Sequence, residues 1–238
     1  MVPIRGSLVN GARCAYRRII ALTQRLAIRR SALSVRRVIN TMEDEMDYLV
    51  ALSKNEVVKK ALKTIGGPNL PPVLERAKHP WSDTELEGME IGVAGSKDGK
   101  FGEEIVKTIE DAGAEVVGGF EQTTFPVDTK FDALVLDVSG ASSAEDLRAL
   151  YDAFHPTLKR VRPNGRIVVV SDYGEIDDLG ESIAWHATEA FVRSMAKELG
   201  RFGTTANLLR VHDDAADRID GPLRFFLSKR SCYITGQP

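Results

Sequence analysis

The chain is poor in the residues that cross-link a small fold or bind metals. Its 238 residues include only two cysteines, Cys14 and Cys232, and four scattered histidines. Two thiols are too few for a disulfide framework or a thiolate metal site. The histidines have no second ligand at helical or hairpin spacing, which argues against a zinc centre. We therefore expect a protein of a reducing compartment without a metal.

Long apolar runs are also missing. No stretch approaches the ~20 consecutive apolar residues that a membrane-spanning helix needs. Hydrophobic residues make up 43% of the chain and charged residues 28%, which is ordinary for a soluble globular protein. The length suffices for one well-buried domain and an extension.

Residues 1–42 lack Lys, Asp and Glu altogether but contain nine Arg. The whole chain has a formal net charge of −2, so the rest of it carries −11. An Arg-rich, acid-free start is typical of a mitochondrial import sequence. The segment is therefore either a cleaved transit peptide or a retained segment that contacts a partner, RNA or an anionic membrane surface. The import-sequence interpretation predicts a mitochondrial protein, in the matrix or at the matrix face of the inner membrane.

A helix and a Pro-rich linker are predicted for residues 43–88. Thr41 and the acidic residues after it favour a helix start, and the helical pattern continues to residue 62. The sequence GGPNLPP at 66–72 then favours an extended chain, because each Pro denies its predecessor the helical conformation. The predicted boundaries are 1–42 for the basic segment, 43–88 for the helix and linker, and 89–238 for the main domain.

The main domain alternates between strand and helix patterns. Apolar strands are predicted at 89–96, 114–120, 131–140, 165–172 and 205–212. Amphipathic helices are predicted at 101–113, 143–161, 183–203 and 221–229. Near-continuous apolar strands separated by helices indicate a parallel sheet covered on both faces. The predicted fold class is α/β, a doubly wound, Rossmann-like parallel sheet with an N-terminal helical and basic extension.

Two stretches near the C-terminus carry a family resemblance. AFVRSMAKELGRFGTTANLL at 190–209, and FLSKRSCYITGQ ending at Gln237, resemble short-chain dehydrogenase/reductases, especially 3-oxoacyl-acyl-carrier-protein reductases. SKNEVVKKALKTIGGPNLPPVLERA at 53–77 resembles the entry segment of the high-molecular-weight forms of that reductase. The resemblance implies a domain like their degenerate N-terminal Rossmann domain.

The glycine-rich turn after the first strand departs from the family pattern. The family has a Gly, three residues, a second Gly, one residue and a third Gly, to let the backbone approach a pyrophosphate. Gly95 and Gly99 fit, but Phe101 takes the third place and Gly102 comes one residue late. A Phe side chain facing the phosphates would obstruct them. Gly95, Ser96, Gly99 and Gly102 are thus either a vestigial cofactor site or a turn inherited with the fold.

The residues for hydride-transfer chemistry are missing as well. The family uses a Tyr to exchange a proton with the substrate, a Lys four residues later and a Ser. Aligned on the run that starts at Phe191, the Tyr position falls on Glu181 and the Lys position on Trp185. The Ser position falls on Asp172, or on Ser171 after a shift of one, and the nearby phenol is Tyr173.

The segment that lies beneath the cofactor in the family also has a different sequence in this chain. The family's Asn-Asn-Ala-Gly segment is replaced here by residues 136–140, which include Asp137. A buried acid at that place would repel a pyrophosphate. The resemblance therefore predicts a protein without catalytic residues, cofactor or metal.

The function expected from these observations is that of a non-catalytic accessory subunit in a mitochondrial assembly. The assembly expected first is a respiratory-chain complex. The partners of this chain would be protein subunits, with membrane-surface contact through residues 1–42 and no nucleic acid. One alternative is an NAD(P)-dependent 3-oxoacyl-acyl-carrier-protein reductase. Another is a dinucleotide-binding module that binds NAD(P) without turnover.

Overall fold

The structure is a computed structural model that describes residues 55–64, 72–96, 99–119, 125, 129–143, 145–176 and 178–238. It divides into two compact units, Met1–Val73 and Leu74–Pro238. The predicted basic segment 1–42, the predicted helix start at Thr41 and most of the predicted linker at 66–72 lie outside the described residues. No described helix is long and apolar enough to cross a bilayer.

In the first unit, helix α1 spans Glu56–Thr64. Its start is fixed by Asn55, whose side-chain Oδ1 accepts hydrogen bonds from the backbone N–H groups of Val57 and Val58, at 3.0 and 3.3 Å. Asn is a favoured residue at this position because it satisfies N–H groups that have no partner inside the helix.

Among the described residues of the second unit, five parallel strands form the sheet. They are β1 (Glu90–Gly95), β2 (Glu115–Gly118), β3 (Phe131–Asp137), β4 (Val161–Asp172) and β5 (Thr205–Val211). Their order across the sheet is β2-β1-β3-β4-β5. The fully buried runs in β3 and β4 are what a sheet covered on both faces requires.

In the part of this unit that the structure describes, four α-helices connect and cover the strands. They are α2 (Gly102–Asp111), α3 (Arg148–Thr157), α4 (Leu179–Leu199) and α5 (Asp220–Leu227). Short 3₁₀ turns occupy Leu158–Arg160, Gly200–Phe202, Asp213–Arg218 and Lys229–Ser231. The predicted fold class, a doubly wound parallel α/β sheet, is confirmed.

Two apolar cores lie on opposite faces of the sheet. One joins β-strand residues to α2 and α5, with Ile105, Ile109 and Leu223 fully buried. The other joins the sheet to α3 and α4, through residues such as Phe154 and Val192. Each helix therefore turns its apolar face to the sheet, which fixes where the strand ends and their loops lie.

Helix α3 is shorter than the predicted helix at 143–161. The side chain of Asp146 accepts hydrogen bonds from the N–H groups of Ser142 and Ser143, at 3.0 and 2.8 Å, and so holds this segment in a turn. Side chains of this kind compete with helical hydrogen bonds, and the helix begins only at Arg148. It ends at Thr157, one residue after Pro156.

The sheet order creates a crevice at its carboxyl edge. The chain passes from β1 to β2 on one side and then returns to β3 on the other side of β1. Ligands of open α/β sheets bind at such a reversal, outside the carboxyl ends of the strands. The last residues of β1 and β3, Gly95 and Asp137, are paired neighbours at this place.

A pair of leucine variants tests the packing of the helices. Leu223 in α5 is fully buried, whereas Leu179 in α4 is 75% exposed. We expect Leu223→Ala to lower the free energy of unfolding by about 2–5 kcal/mol, because it leaves a cavity in the core. Leu179→Ala should change it by no more than about 0.5 kcal/mol. Equal effects in denaturant titrations would contradict the described packing.

Candidate functional site

A crevice of about 460 Å³ lies at the carboxyl edge of the sheet. Loops after β1, β3 and β4, the 3₁₀ turn after β5 and the first half of α4 contribute to it. Its charged lining residues are Lys100, Asp172, Glu175, Glu181 and Asp213. Four carboxylates thus face one ammonium group among the described lining residues.

The four predicted cofactor-site residues lie together at the end of β1. Gly95 is the last residue of the strand, and the Ser96 N–H donates to the Asp137 carbonyl at 2.8 Å. The Gly99 N–H donates to the Ser96 carbonyl at 3.1 Å, which closes the turn. Gly102 is the first residue of α2. The geometry of a strand-turn-helix is therefore retained.

Asp137 fills the space beneath this turn. Its Oδ2 accepts a hydrogen bond from the Phe101 N–H at 3.0 Å, and its Oδ1 accepts from the N–H and hydroxyl of Ser139, at 3.0 and 2.6 Å. A Cβ atom on Gly99 would lie 2.8 Å from Asp137 Oδ2. The missing side chain of Gly99 thus makes room for a carboxylate of the protein itself.

The carboxylate of Asp137 is fully buried, as the sequence predicts. Burial raises the pKa of Asp137, because a low-dielectric surrounding disfavours the charged form. Hydrogen bonds from Ser139 and Phe101 oppose this rise, and the negative charge of Asp172 adds to it. A second anion in contact with this turn would add further repulsion.

The predicted obstruction by Phe101 is wrong. Its side chain is only 2% exposed and belongs to the core that α2 and α5 form with the sheet. The backbone N–H of Phe101 points towards the end of β3, where it donates a hydrogen bond to Asp137 Oδ2. A large apolar side chain gains more from burial than from facing a polar crevice, so the aromatic ring points inward.

Lys100 joins the loops around the crevice. Its Nζ lies 3.2 Å from Asp172 Oδ2 and 3.1 Å from Asp213 Oδ1. Partial burial lowers the pKa of Lys100, but hydrogen bonds and charge contacts with Asp213 and Asp172 outweigh it and raise that pKa overall. Asp172 Oδ2 also accepts from the Gly140 N–H at 3.1 Å. Sequence reasoning missed this network because its members are up to 113 positions apart.

Glu181 and Trp185 both line the crevice, as the sequence alignment on Phe191 requires. Glu181 lies in the first turn of α4, where its N–H donates to the capping side chain of Asp178 at 2.9 Å. The ring of Trp185 packs against the guanidinium of Arg210, whose central carbon lies 3.1 Å from the ring centroid. Neither side chain can replace a phenol assisted by an ammonium group.

Tyr173 is the phenol closest to the predicted Ser position, and it is 56% exposed. It lines the same crevice as Lys100. In a reductase, the amine would lower the pKa of the phenol and favour proton transfer. The Lys100 ammonium is instead held by two carboxylates, which neutralise its charge.

The described residues contain no group of three or more His, Cys, Asp or Glu side chains arranged to hold a metal ion. The acidic residues near Asp213 lie in an exposed 3₁₀ turn, and Asp214 there pairs with His212.

Known proteins resemble this domain in structure more than in sequence. No protein-family model matches the chain, and no curated protein matches it. A solved short-chain dehydrogenase/reductase from Serratia marcescens has 19% sequence identity and a TM-score of 0.51, covering 64% of this chain and 95% of that one. A doubly substituted Serratia marcescens short-chain dehydrogenase/reductase has 17% identity and a TM-score of 0.52, with the same coverage.

A third solved structure is the promiscuous reductase LugOII, which catalyses keto-reduction at C1 during lugdunomycin biosynthesis. It shares 20% identity with a TM-score of 0.50, covering 65% of this chain and 95% of LugOII. The sheet order defines a doubly wound parallel α/β protein with a crevice at its carboxyl edge. More narrowly, the chain has the fold of the short-chain dehydrogenase/reductases.

The fold family implies an NAD(P) cofactor, but the crevice residues do not fit one. The N–H groups at the start of α2 would normally bind the pyrophosphate. Just before α2, the backbone N–H groups of Phe101 and Lys100 donate to Asp137 and Ser139 instead. Four carboxylates around the crevice further oppose an anionic ligand.

The pH dependence of stability tests the environment of Asp137. Its pKa is raised on folding, so its favourable contribution is present below the ordinary Asp pKa and is lost as pH rises through the folded value. As pH rises above about 4, wild type should therefore lose stability relative to Asp137→Asn.

Asp146→Asn is the matched control for that experiment. Hydrogen bonds from Ser143 and Ser142 lower the pKa of Asp146. Its ionised form stabilises the fold above about pH 4, and this contribution is lost as pH falls through the lowered pKa. Relative to wild type above about pH 4, the stability of Asp137→Asn should rise with pH while that of Asp146→Asn stays level, and the Asp146→Asn difference should shrink only below about pH 4. A level Asp137→Asn difference in denaturant titrations would contradict the assignment.

Proposed function

We propose that this chain is a non-catalytic protein of the short-chain dehydrogenase/reductase fold that acts as an accessory subunit of a mitochondrial multiprotein assembly. The observation that carries the proposal is the pair Glu181 and Trp185. They line the crevice at the two positions where the family resemblance places a Tyr and a Lys. A carboxylate and an indole cannot deliver a proton to a carbonyl in the way that a phenol assisted by an ammonium does.

The retained core supports an interaction role. The sheet has apolar cores on both faces, and the positions that the resemblance assigns to Tyr and Lys hold Glu181 and Trp185, which an interaction role would tolerate. The domain resembles the degenerate N-terminal Rossmann domain of high-molecular-weight 3-oxoacyl-acyl-carrier-protein reductases, which is a further reason to expect association with other protein.

The Arg-rich segment 1–42 supports the location. Its composition is that of an import sequence, and a retained segment of this kind would bind acidic partner subunits or an anionic lipid surface. We place the protein in the matrix or at the matrix face of the inner membrane, and a respiratory-chain complex is the first assembly to examine.

Two other functions are favoured by particular observations. Tyr173 and Lys100 line the same crevice, which favours an NAD(P)-dependent reductase of 3-oxoacyl thioesters. The glycines at 95, 99 and 102 keep the strand-turn-helix geometry, which favours a dinucleotide-binding module without turnover. The experiments below separate these alternatives from the proposal.

The first experiment measures turnover. We expect the purified chain to oxidise NADH or NADPH in the presence of a 3-oxoacyl thioester no faster than a heat-denatured sample does, because Glu181 and Trp185 stand at the positions of the family's Tyr and Lys. Tyr173→Phe is the informative variant, since it removes the phenol that lines the crevice and little else. A rate in wild type that this variant abolishes would establish the reductase instead.

The second experiment measures association. The tagged full chain, expressed in its source cells, should enter mitochondria and co-migrate with a large complex on native gels. The tagged chain should also recover subunits of that complex from gently solubilised membranes. Migration of the whole pool at the size of the single chain, or its absence from mitochondria, would contradict the accessory-subunit proposal.

A further inference from the structure

The two backbone N–H groups just before α2, those of Lys100 and Phe101, already donate hydrogen bonds within the protein. They are therefore not available to a phosphate. The Lys100 N–H donates to Ser139 Oγ at 2.6 Å, and the Phe101 N–H donates to Asp137 Oδ2 at 3.0 Å. Both acceptors come from the end of β3 and are fully buried. Lys100 and Phe101 immediately precede Gly102, the first residue of α2, and N–H groups at a helix N-terminus form an anion-binding site.

The acceptors form one connected unit. The hydroxyl and the backbone N–H of Ser139 both donate to Asp137 Oδ1, and Ser139 Oγ accepts from the backbone N–H of Lys100. Each oxygen of the carboxylate therefore has a donor, and the serine hydroxyl is used as donor and acceptor. A buried polar group is stable only when its hydrogen bonds are made, so this unit has a strong preference for its present geometry.

A second layer ties the neighbouring loops together. Asp172, at the end of β4, accepts from the Gly140 N–H and pairs with the Lys100 ammonium, which also reaches Asp213 beyond β5. Loops after β1, β3, β4 and β5 are thus linked by side chains. In a cofactor-binding protein a bound nucleotide would make such links.

We propose that Asp137 and Ser139 are a built-in substitute for a bound phosphate: they occupy the anion-binding N–H groups of the glycine-rich turn and close it to nucleotides. The carboxylate supplies the negative charge that the N-terminus of α2 favours. The crevice loops therefore reach their final arrangement without any ligand. This inference concerns the domain alone and does not depend on the proposed assembly.

Inorganic pyrophosphate is the probe that tests the closed turn, at constant ionic strength and with thermal unfolding of the full chain as the readout. A ligand that binds only the native state raises its melting temperature. Wild type should show no rise. Asp137→Ala frees the Phe101 N–H and removes the carboxylate charge. Its melting temperature should therefore rise with pyrophosphate, and it should also rise with NAD⁺.

Asp146→Asn is the control, because Asp146 also accepts from backbone N–H groups but lies outside the crevice. It should gain no response to pyrophosphate. A rise of similar size in wild type and Asp137→Ala would show that the turn is open and would overturn the proposal. No rise in either protein would show that other groups close it, which overturns the proposal equally.

Amide hydrogen exchange supplies a second test that tolerates a destabilised Asp137 variant. Ser139→Ala removes the acceptor of the Lys100 N–H and leaves the Asp137 carboxylate in place. The Lys100 amide should then exchange faster by roughly tenfold, the effect of one hydrogen bond of about 1 kcal/mol or slightly more. The Ile105 amide inside α2 should be unchanged. An unchanged Lys100 amide would overturn the proposal.

Discussion

The hydrogen bond between the buried carboxylate of Asp137 and the Phe101 N–H is the contact on which the carboxyl edge of the sheet depends. It joins the end of β3 to the start of α2, across the place where the chain reverses its direction through the sheet. A buried carboxylate is costly unless donors surround it, and here the turn and Ser139 provide them. The carboxylate thereby contributes to folding at the carboxyl edge of the sheet.

The same principle explains the rest of the crevice. Asp172 and Asp213 would repel one another if Lys100 did not lie between them. Trp185 packs against the guanidinium of Arg210. Under the proposed function, these interactions stabilise the edge at places where a reductase would hold its cofactor and substrate, beside the two apolar cores of the described residues.

The fold was predictable because buried strands and amphipathic helices leave a direct mark on the sequence. The apolar runs around Ile91, Val135 and Val169 identify strands, and the alignment on Phe191 was sufficient to place Glu181 and Trp185 at the crevice. Competition between side chains and helical hydrogen bonds was harder to foresee. The Asp146 carboxylate accepts from the Ser143 N–H, and α3 begins only at Arg148.

The contacts within the site could not be read from the sequence. Lys100 and Asp213 are separated by 113 positions, and only the folded sheet brings their loops together. The direction of Phe101 was misjudged because a motif position fixes the backbone and leaves the side chain free to follow the core. Asp137 was identified as an obstacle to pyrophosphate, whereas its second role, as acceptor for the turn, needed the geometry.

A crystal structure grown in a large excess of NADP⁺ is the most direct test of this account. We predict that Phe101 and Lys100 keep their hydrogen bonds to Asp137 and Ser139 and that no nucleotide occupies the crevice. A pyrophosphate bound to those two N–H groups, with the Asp137 carboxylate turned away, would contradict it.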